Sequence, residues 1–244
     1  MKKIVLIGLL ICLTIPGYLN AQLQVEKGFE FQEIVKIAEM YKNAPNLSFT
    51  IDYNYADSLH PDSTLEHLAG SCKMSDSRYY TNLDSAEYIQ GYQYNVAVFY
   101  RDSAIIVNDR QEYADLMKLP VLDSVFNGAY VDSMKIVAID TASNTLYLYL
   151  SPSSPYSKYY LIYSPLNYRI LGIGFYIKNA PIGEAIGTAK VSISFSNYST
   201  NPIPQDTFWE DKFIYRQSGE VRLKPTYASY QLLDNTTIKP TLLK

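Results

Sequence analysis

The feature of this sequence that most limits its fold is a regular alternation of apolar and polar residues that begins at Leu47. Apolar side chains occupy every second position from Leu47 to Tyr55, and polar side chains occupy the positions between them. A period of two is typical of a strand with one buried and one hydrated face, as in many antiparallel sheets. The chain is therefore expected to fold around a sheet with one apolar face.

Strand-like runs continue along most of the chain. Many of them are joined by only three or four residues, such as Ser75–Ser77 and Ser164–Asn167. Links this short predict antiparallel neighbours, because a parallel crossover needs about a dozen residues. Asp57–Ser63 is predicted to be a polar turn. The runs after the first are Leu65–Met74, Arg78–Leu83, Glu87–Tyr92, Tyr94–Tyr100, Ala104–Val107, Val131–Asp140, Thr145–Leu150, Lys158–Tyr163, Tyr168–Lys178, Ala189–Ser196, Lys212–Gln217, Val221–Lys224 and Tyr227–Leu233.

Two segments show helical periodicity. Phe29–Tyr41 has apolar residues on one face and charged residues, including Glu33, on the other, and Pro45 follows its end. Arg110–Leu119 has a similar apolar stripe behind Asp109, which is a suitable N-cap. The sequence thus predicts an α+β fold, a strongly curved antiparallel half-barrel of about 11–13 strands. The N-terminal helix and the central helical insertion are expected on its concave face.

The first segment predicts export. Lys2 and Lys3 precede an uncharged apolar run, Ile4–Ile15, and Pro16 follows it. This is the pattern of a secretory signal peptide, and cleavage is expected after Ala21. The alternative, a membrane anchor, needs about 20 apolar residues, which is more than this run supplies.

The mature chain, residues 22–244, is predicted to be a single domain without a transmembrane segment. Its expected location is the periplasm, the cell envelope or the outside of the cell. Cys12 lies inside the apolar run behind Ile11, so we expect no lipid-modified N-terminus. Only Cys72 remains after cleavage, which excludes an intrachain disulfide and predicts a buried, apolar cysteine.

The composition excludes several functional classes. The 244 residues are 48% hydrophobic with a formal net charge of −3. Such a chain can bury a large core, which excludes a disordered protein. The acidic balance argues against nucleic acid as a partner, because a phosphate-binding surface would be basic. The tyrosines are unusually numerous, and the strand positions Tyr79, Tyr80, Tyr147, Tyr149, Tyr159 and Tyr160 are predicted to lie on the sheet surface and barrel rim. The alternative for them is a stacking groove for sugars or acyl chains.

No catalytic or metal-binding pattern is present in the sequence. The two histidines, His60 and His67, lie near the first turn, and neither is beside a nucleophile motif. Gly172-Ile173-Gly174 lacks the third glycine of a phosphate loop and predicts a bulge or a close backbone approach. Asp84 and Glu87 flank a turn, where acids are common, so a glycosidase pair is not favoured. We expect no enzymatic activity, no catalytic residue, no metal and no cofactor.

The order of these segments resembles that of a known superfamily. The order is a signal peptide, helix Phe29–Tyr41, strand Leu47–Tyr55, a meander, a helical insertion near Arg110–Leu119 and a second meander. It resembles the LolA/LolB-like superfamily of periplasmic lipoprotein carriers and receptors. Arg78–Ser85 and Phe195–Thr200 also look like segments of secreted Bacteroidota proteins. The resemblance implies an open, curved sheet lidded by helices, with acyl chains in the cavity. It transfers no functional residue, because it rests on order and not on a short motif.

Two functional hypotheses follow. The first is an envelope protein that binds lipid or lipoprotein acyl chains in a hydrophobic cavity, roofed by Ile34, Ala38, Leu116 and Leu119. The alternative is a non-enzymatic periplasmic or surface interaction subunit, whose core is filled by its own side chains and whose tyrosine-rich face docks a protein partner. One parity of each strand is predicted to line the cavity. Those residues are Leu47, Phe49, Ile51, Tyr53, Val96, Val98, Leu146, Leu148, Leu150, Val191, Ile193 and Phe195.

Overall fold

The computed structural model describes residues 28–110 and 131–236. Within these ranges the chain forms one α-helix, α1 (Phe29–Asn43), and fourteen strands. The strands are β1 (Asn46–Asp57), β2 (His60–Ser75), β3 (Arg78–Leu83), β4 (Ala86–Gln90), β5 (Tyr94–Phe99), β6 (Ala104–Asp109), β7 (Val131–Ala138), β8 (Asn144–Leu150), β9 (Tyr156–Tyr163), β10 (Ile170–Ile182), β11 (Ala185–Ser199), β12 (Ile214–Gln217), β13 (Glu220–Leu223) and β14 (Gln231–Asp234).

Twelve of the strands form one sheet, and β12 and β13 pair as a separate hairpin. The hydrogen-bonded order of the large sheet is β14-β6-β5-β4-β3-β2-β1-β11-β10-β9-β8-β7. Its end strands are β14 and β7, which are not paired with each other in the part of the chain that the structure describes. The large open sheet with an N-terminal helix confirms the coarse fold prediction. The strong curvature of a half-barrel stays a prediction.

The short links place sequential strands side by side, as the sequence predicts. β2–β6 form one antiparallel meander and β7–β11 form another. β14 is different, because it lies parallel to β6 with Gln231 opposite Ala104. The prediction of a purely antiparallel sheet is therefore wrong at this strand. A parallel pair needs a long connection, and all the chain from β7 to β13 lies between these two strands.

The segment between β1 and β2 corrects a second prediction. The turn is only Ser58 and Leu59, and β2 begins at His60, so the polar turn predicted at Asp57–Ser63 is too long. The Asp57 carboxylate accepts the backbone N–H of Leu59 at 3.0 Å, which holds the turn tight. That bond, followed by the contact with His60, lowers the pKa of Asp57 below its usual value.

Near the C-terminus, two further predicted strands are shortened. A single turn of 3-10 helix at Glu210–Lys212 precedes β12, so the strand predicted from Lys212 begins two residues later. Another such turn at Pro225–Tyr227 occupies the start of the strand predicted over Tyr227–Leu233. The hairpin predicted at Ser218-Gly219 is confirmed, since both residues have positive φ and join β12 to β13.

The buried face of α1 differs from the predicted one. Its buried residues are Glu33, Ile34, Ile37 and Tyr41, although Glu33 was expected on the charged face. The buried carboxylate of Glu33 is satisfied by the Tyr163 hydroxyl at 2.9 Å and by the Lys36 ammonium at 2.7 Å. A buried carboxylate needs such partners, and helical periodicity does not show them.

The chain divides into two compact units. Unit 1 contains the described residues of Met1–Asn43, Asp52–His67 and Tyr113–Phe195, and unit 2 those of Ala44–Ile51, Leu68–Glu112 and Ser196–Lys244. β1, β2 and β11 contribute residues to both units, so this division does not test the prediction of a single domain.

Two predicted segments fall on residues that the structure does not describe. They are the signal peptide at residues 1–21 and, apart from Arg110, the central helix with its roof residues Leu116 and Leu119. Within residues 28–110 and 131–236, no helix is long and apolar enough to cross a membrane.

Candidate functional site

One face of the unit 1 sheet carries two rows of apolar side chains that cross five neighbouring strands without a break. We call these ten residues the apolar face. Because side chains alternate between the faces of a strand, residues paired across strands share one face. The first row is Ile136, Leu146, Leu161, Ile173 and Ile193, and the second is Met134, Leu148, Tyr159, Phe175 and Val191.

Helix α1 is fixed to the β9 and β10 strands of unit 1 by two buried hydrogen bonds. The Tyr163 hydroxyl donates to Glu33 Oε2 at 2.9 Å, and the backbone N–H of Ile170 donates to the Tyr41 hydroxyl at 3.1 Å. Burial raises the pKa of Tyr163 to about 12, so the phenol stays protonated near neutral pH and can donate. The helix also contacts β7, the end strand of the sheet.

The apolar face is not equally buried along its length. Leu146, Leu161 and Val191 are almost completely buried, as are Leu148, Tyr159 and Ile173. The predicted surface position of Tyr159 is therefore wrong, because its ring lies on the apolar face. Met134 and Ile136 on β7 are only half-buried, and so are Phe175 on β10 and Ile193 on β11. Apolar surface is therefore partly accessible on the end strand β7 and also on β10 and β11.

The twelve predicted lining residues are all withdrawn from water to some degree. Eight are buried, and Ile51, Leu150, Ile193 and Phe195 are half-buried. The predicted strand parities therefore mark apolar, inward-facing positions. The structure brings Leu146, Leu148, Val191 and Ile193 together on the apolar face, whereas Leu47, Phe49, Ile51, Val96 and Val98 belong to unit 2. That these residues line a ligand cavity stays a prediction.

In unit 2, the corresponding face of β5 is covered by the chain itself. Val96 and Val98 belong to a cluster of buried residues with Phe213, Ile214 and Val221 from the hairpin segment. The remaining buried members are Ile89, Tyr94, Ile105 and Val107, and partly buried aromatic residues such as Tyr227 pack around them. This part of the predicted lining is a self-filled core.

A cleft in unit 2 is a feature that the sequence did not predict. It encloses about 460 Å³, and half-exposed aromatic side chains of Tyr92, Trp209 and Tyr215 line it together with Arg216. Glu210 is buried at its base, where its carboxylate accepts the backbone N–H groups of Tyr92 and Gln93 at 2.7–3.1 Å. The available signal was Trp209, the only tryptophan of the chain, directly before an acidic residue.

Next to this cleft, Arg78 is a buried cation with several hydrogen-bond partners. Its guanidinium donates to the Tyr92 hydroxyl, to Gln205 Oε1 and to Asp76 Oδ2. It also lies over the ring of Tyr92 at 4.8 Å from the centroid and over that of Phe208 at 5.2 Å. These contacts use its donors within the fold, so Arg78 organises the structure around the cleft.

The residues considered for catalysis or metal binding are engaged elsewhere or isolated. His60 Nδ1 lies 3.2 Å from Asp57 Oδ2, and His67 Nε2 lies 2.8 Å from Asp52 Oδ2, both at the surface. Across residues 28–110 and 131–236, no three His, Cys, Asp or Glu side chains are grouped as metal ligands. Asp84 forms an ion pair with Arg101 at 2.6 Å, and Glu87 accepts the Tyr100 hydroxyl at 3.0 Å.

The single cysteine of the described residues is buried, as predicted. Thr81 Oγ1 donates to Cys72 Sγ at 3.5 Å, and burial raises the pKa of the thiol to about 11. Since a thiolate is the reactive form of cysteine, this residue is chemically quiet near neutral pH.

The opposite face of the unit 1 sheet carries tyrosines and lysines. We use the name tyrosine–lysine face for its four tyrosines and three lysines, which are Lys135, Tyr147, Tyr149, Lys158, Tyr160, Tyr176 and Lys190. Tyr160 lies over Gly174, where a Cβ atom would be 2.1 Å from its ring, so the predicted close approach at the glycine pair is confirmed. The predicted bulge is also present, since the register shifts between Ile170 and Gly172.

Comparisons with known proteins identify similar structures but no similar sequence family. No family model matches the sequence, and no curated protein is similar to it. An uncharacterized conserved protein from Thermus thermophilus aligns with 84% of this chain and 98% of its own, at 9% identity and a TM-score of 0.46. A LolA superfamily protein from Nitrosomonas europaea aligns with 75% of this chain and 98% of its own, at 11% identity and a TM-score of 0.36.

Proteins of the LolA superfamily are among the structural neighbours of this chain. The lipoprotein LppX from Mycobacterium tuberculosis is another, covering 72% of this chain and 98% of its own at 9% identity and a TM-score of 0.39. At these identities and TM-scores, the neighbours assign no role to any residue. The functional argument therefore uses the residues of this chain.

Proposed function

We propose that the protein is a non-enzymatic envelope protein that binds the acyl chain of a lipid or lipoprotein on the apolar face of unit 1. The observation that carries this proposal is the pair of unbroken apolar rows across β7–β11, with α1 attached at the Tyr163 and Ile170 end. A linear hydrocarbon chain needs an extended apolar surface and few polar partners, and these rows provide such a surface.

The acyl chain is expected to enter at β7. Met134 and Ile136 are half-buried there, and β7 is the end strand of the sheet order. Because Leu146 and Leu161 are already buried, deeper binding requires the side chains that cover them to move. Each methylene that leaves water contributes about 0.8 kcal/mol, so a chain of several methylenes can offset the loss of some of these contacts.

The proposed location, the periplasm or the cell envelope, follows from the predicted signal peptide. Export with cleavage after Ala21 gives a chain that begins at Gln22. The intact mass of the protein isolated from the envelope fraction measures this directly. An uncleaved or lipid-modified chain would contradict the predicted processing.

The binding experiment is a titration of the mature chain with a fluorescent fatty-acid probe. Ile136→Asp places a carboxylate on the apolar face, and Val137→Asp makes the same change at the next residue, which points to the opposite face. We expect saturable binding by the wild-type protein and by Val137→Asp, and at least about tenfold weaker binding by Ile136→Asp, since tenfold corresponds to about 1.4 kcal/mol. Circular dichroism melts verify that each variant is folded. Absence of saturable binding by folded wild-type protein would refute the carrier function.

The second candidate function is an interaction subunit, and the self-filled core of unit 2 favours it. There, the predicted lining residues Val96 and Val98 already contact Phe213 and Val221, leaving no need for a ligand. Trp, Tyr and Arg side chains are common at the centres of protein interfaces, and the unit 2 cleft presents Trp209 with such neighbours. A wild-type protein that binds no fatty acid would leave this function as the better explanation.

A further inference from the structure

We propose that the tyrosine–lysine face of unit 1 docks on the surface of an anionic lipid bilayer. This inference goes beyond acyl-chain binding, because it concerns the opposite face of the sheet and does not require a ligand on the apolar face. It is based on the charge of that face, on the amphipathic character of its tyrosines and on its extent.

The charge of this face is opposite to that of the whole chain. The chain has a formal net charge of −3, yet the face has three lysines and no carboxylate in its rows of paired residues. None of Lys135, Lys158 and Lys190 forms an ion pair with any residue that the structure describes. Elsewhere, cations such as Lys36 and Arg101 pair with carboxylates of the chain. Lys135 and Lys158 are exposed and Lys190 is half-buried, and no carboxylate of the described residues neutralises their charge.

The tyrosines suit this face to the boundary between hydrocarbon and water, in addition to the attraction of its lysines to anions. Tyr147 and Tyr149 are 40% and 51% exposed, and the ring of Tyr147 lies 6.1 Å from that of Tyr160. Lys158 Nζ lies 5.1 Å from the centre of the Tyr176 ring. A tyrosine ring has an apolar body and a polar tip, which suits the boundary between hydrocarbon and water. A purely acidic peptide would satisfy the lysines but would give these rings nothing to bury against.

The extent of the face favours a surface over a single bound anion. From Lys135 on β7 to Lys190 on β11 the face crosses five strands, a distance of about 19 Å at a strand spacing of about 4.8 Å. One phosphate cannot contact lysines this far apart, whereas the headgroups of a bilayer can. The rows are therefore better suited to many headgroups than to one ligand.

The experiment measures co-sedimentation of the mature chain, beginning at Gln22, with vesicles of phosphatidylcholine and phosphatidylglycerol. The mature chain is used because the apolar run Ile4–Ile15 would partition into any bilayer on its own. We expect binding to these vesicles and none to pure phosphatidylcholine. Binding should be lost as ionic strength rises from about 0.01 M to about 1 M, where the Debye length falls from about 30 Å to about 3 Å.

Two triple lysine variants test whether the lysines of this face contribute to vesicle binding. Lys135→Gln, Lys158→Gln and Lys190→Gln together are expected to weaken vesicle binding on the order of 100-fold, since each lysine near an anionic surface contributes about fivefold. The matched control, Lys42→Gln with Lys73→Gln and Lys212→Gln, has the same charge change and should bind as the wild type does. Tyr147→Ser with Tyr149→Ser should weaken binding while its salt dependence remains.

Several outcomes would overturn the proposal. They are no binding of folded wild-type protein to anionic vesicles, equal losses in the two lysine variants, and binding to polyglutamate without binding to vesicles. The last result would indicate an acidic protein partner instead. The Ile136→Asp variant separates this proposal from the carrier function, because it should lose the fatty-acid probe and keep vesicle binding.

Discussion

Removing the Tyr163 hydroxyl should destabilise unit 1 strongly although the ring is kept. In Tyr163→Phe, Glu33 Oε2 loses the donor that lies 2.9 Å away, and no water can replace it readily because Glu33 is 4% and Tyr163 0% exposed. The side chain of Asn144, which donates to the same hydroxyl at 3.3 Å, loses its acceptor as well. The half-buried Asn144 amide can turn to solvent, so its contribution is small.

The size of the effect follows from the charged acceptor. A hydrogen bond to an ionised group contributes about 1.5–3 kcal/mol, and an unsatisfied buried group costs a similar amount. We therefore expect Tyr163→Phe to lower the free energy of unfolding by about 2–3 kcal/mol. For a chain of this size, 1 kcal/mol corresponds to a shift in Tm of about 2–4 °C, so Tm should fall by about 4–12 °C.

Urea unfolding followed by circular dichroism measures this change. Tyr149→Phe is the matched control, because Tyr149 is half-exposed and its substitution should alter stability by less than about 0.5 kcal/mol. In a double-mutant cycle with Glu33→Gln, we expect a coupling energy of about 1 kcal/mol or more. The reasoning fails if Tyr163→Phe unfolds at the same urea concentration as the control, or if the cycle shows no coupling.

Three further predictions concern other parts of the chain. Gly91→Ala should lower the free energy of unfolding by about 1–3 kcal/mol in urea titrations, because its Cβ would lie 1.8 Å from Glu210 Oε2 and 2.8 Å from the Phe208 carbonyl. A variant as stable as the wild type would contradict this close packing. Cys72, whose pKa is raised to about 11, should react with a thiol reagent at pH 8 only in denaturant, and rapid labelling of the folded protein would contradict its burial. Replacing His60 and His67 together with Gln should change stability by less than about 1 kcal/mol, since exposed polar contacts contribute little. A large fall in Tm would show that the contacts of His60 with Asp57 and of His67 with Asp52 stabilise the fold substantially.

Features set by neighbours in sequence could be predicted. The period of two and the short links determine the meanders, because a strand and its hairpin partner are adjacent in the chain. The helical spacing from Phe29 likewise predicts α1 to within two residues of its end at Asn43. The parity residues named on β1, β5, β8 and β11 are all buried or half-buried.

Features set by distant partners could not be predicted. Glu33 looks like a surface residue until Tyr163, 130 positions later, is brought to it. Strand parity indicates that Val96 faces inward, but not that Phe213 and Val221 cover it. The cleft at Trp209 depends on a hydrogen bond in which Glu210 accepts the backbone N–H of Tyr92. No local sequence pattern predicts this bond. These contacts join residues that are far apart in the sequence, so the periodicity of a local segment does not predict them.

The parallel pairing of β14 with β6 affects how the newly made chain reaches its final state. The chain leaves the ribosome, and then the export channel, from its N-terminus, so Ala104–Asp109 becomes available for pairing before Gln231–Asp234 does. Until then β6 exposes a row of free backbone groups, which is a template for pairing with other chains. Phe213, Ile214 and Val221, which cover Val96, also come late. Contacts this distant in sequence slow folding, so unit 2 has a long interval in which self-association competes with its completion.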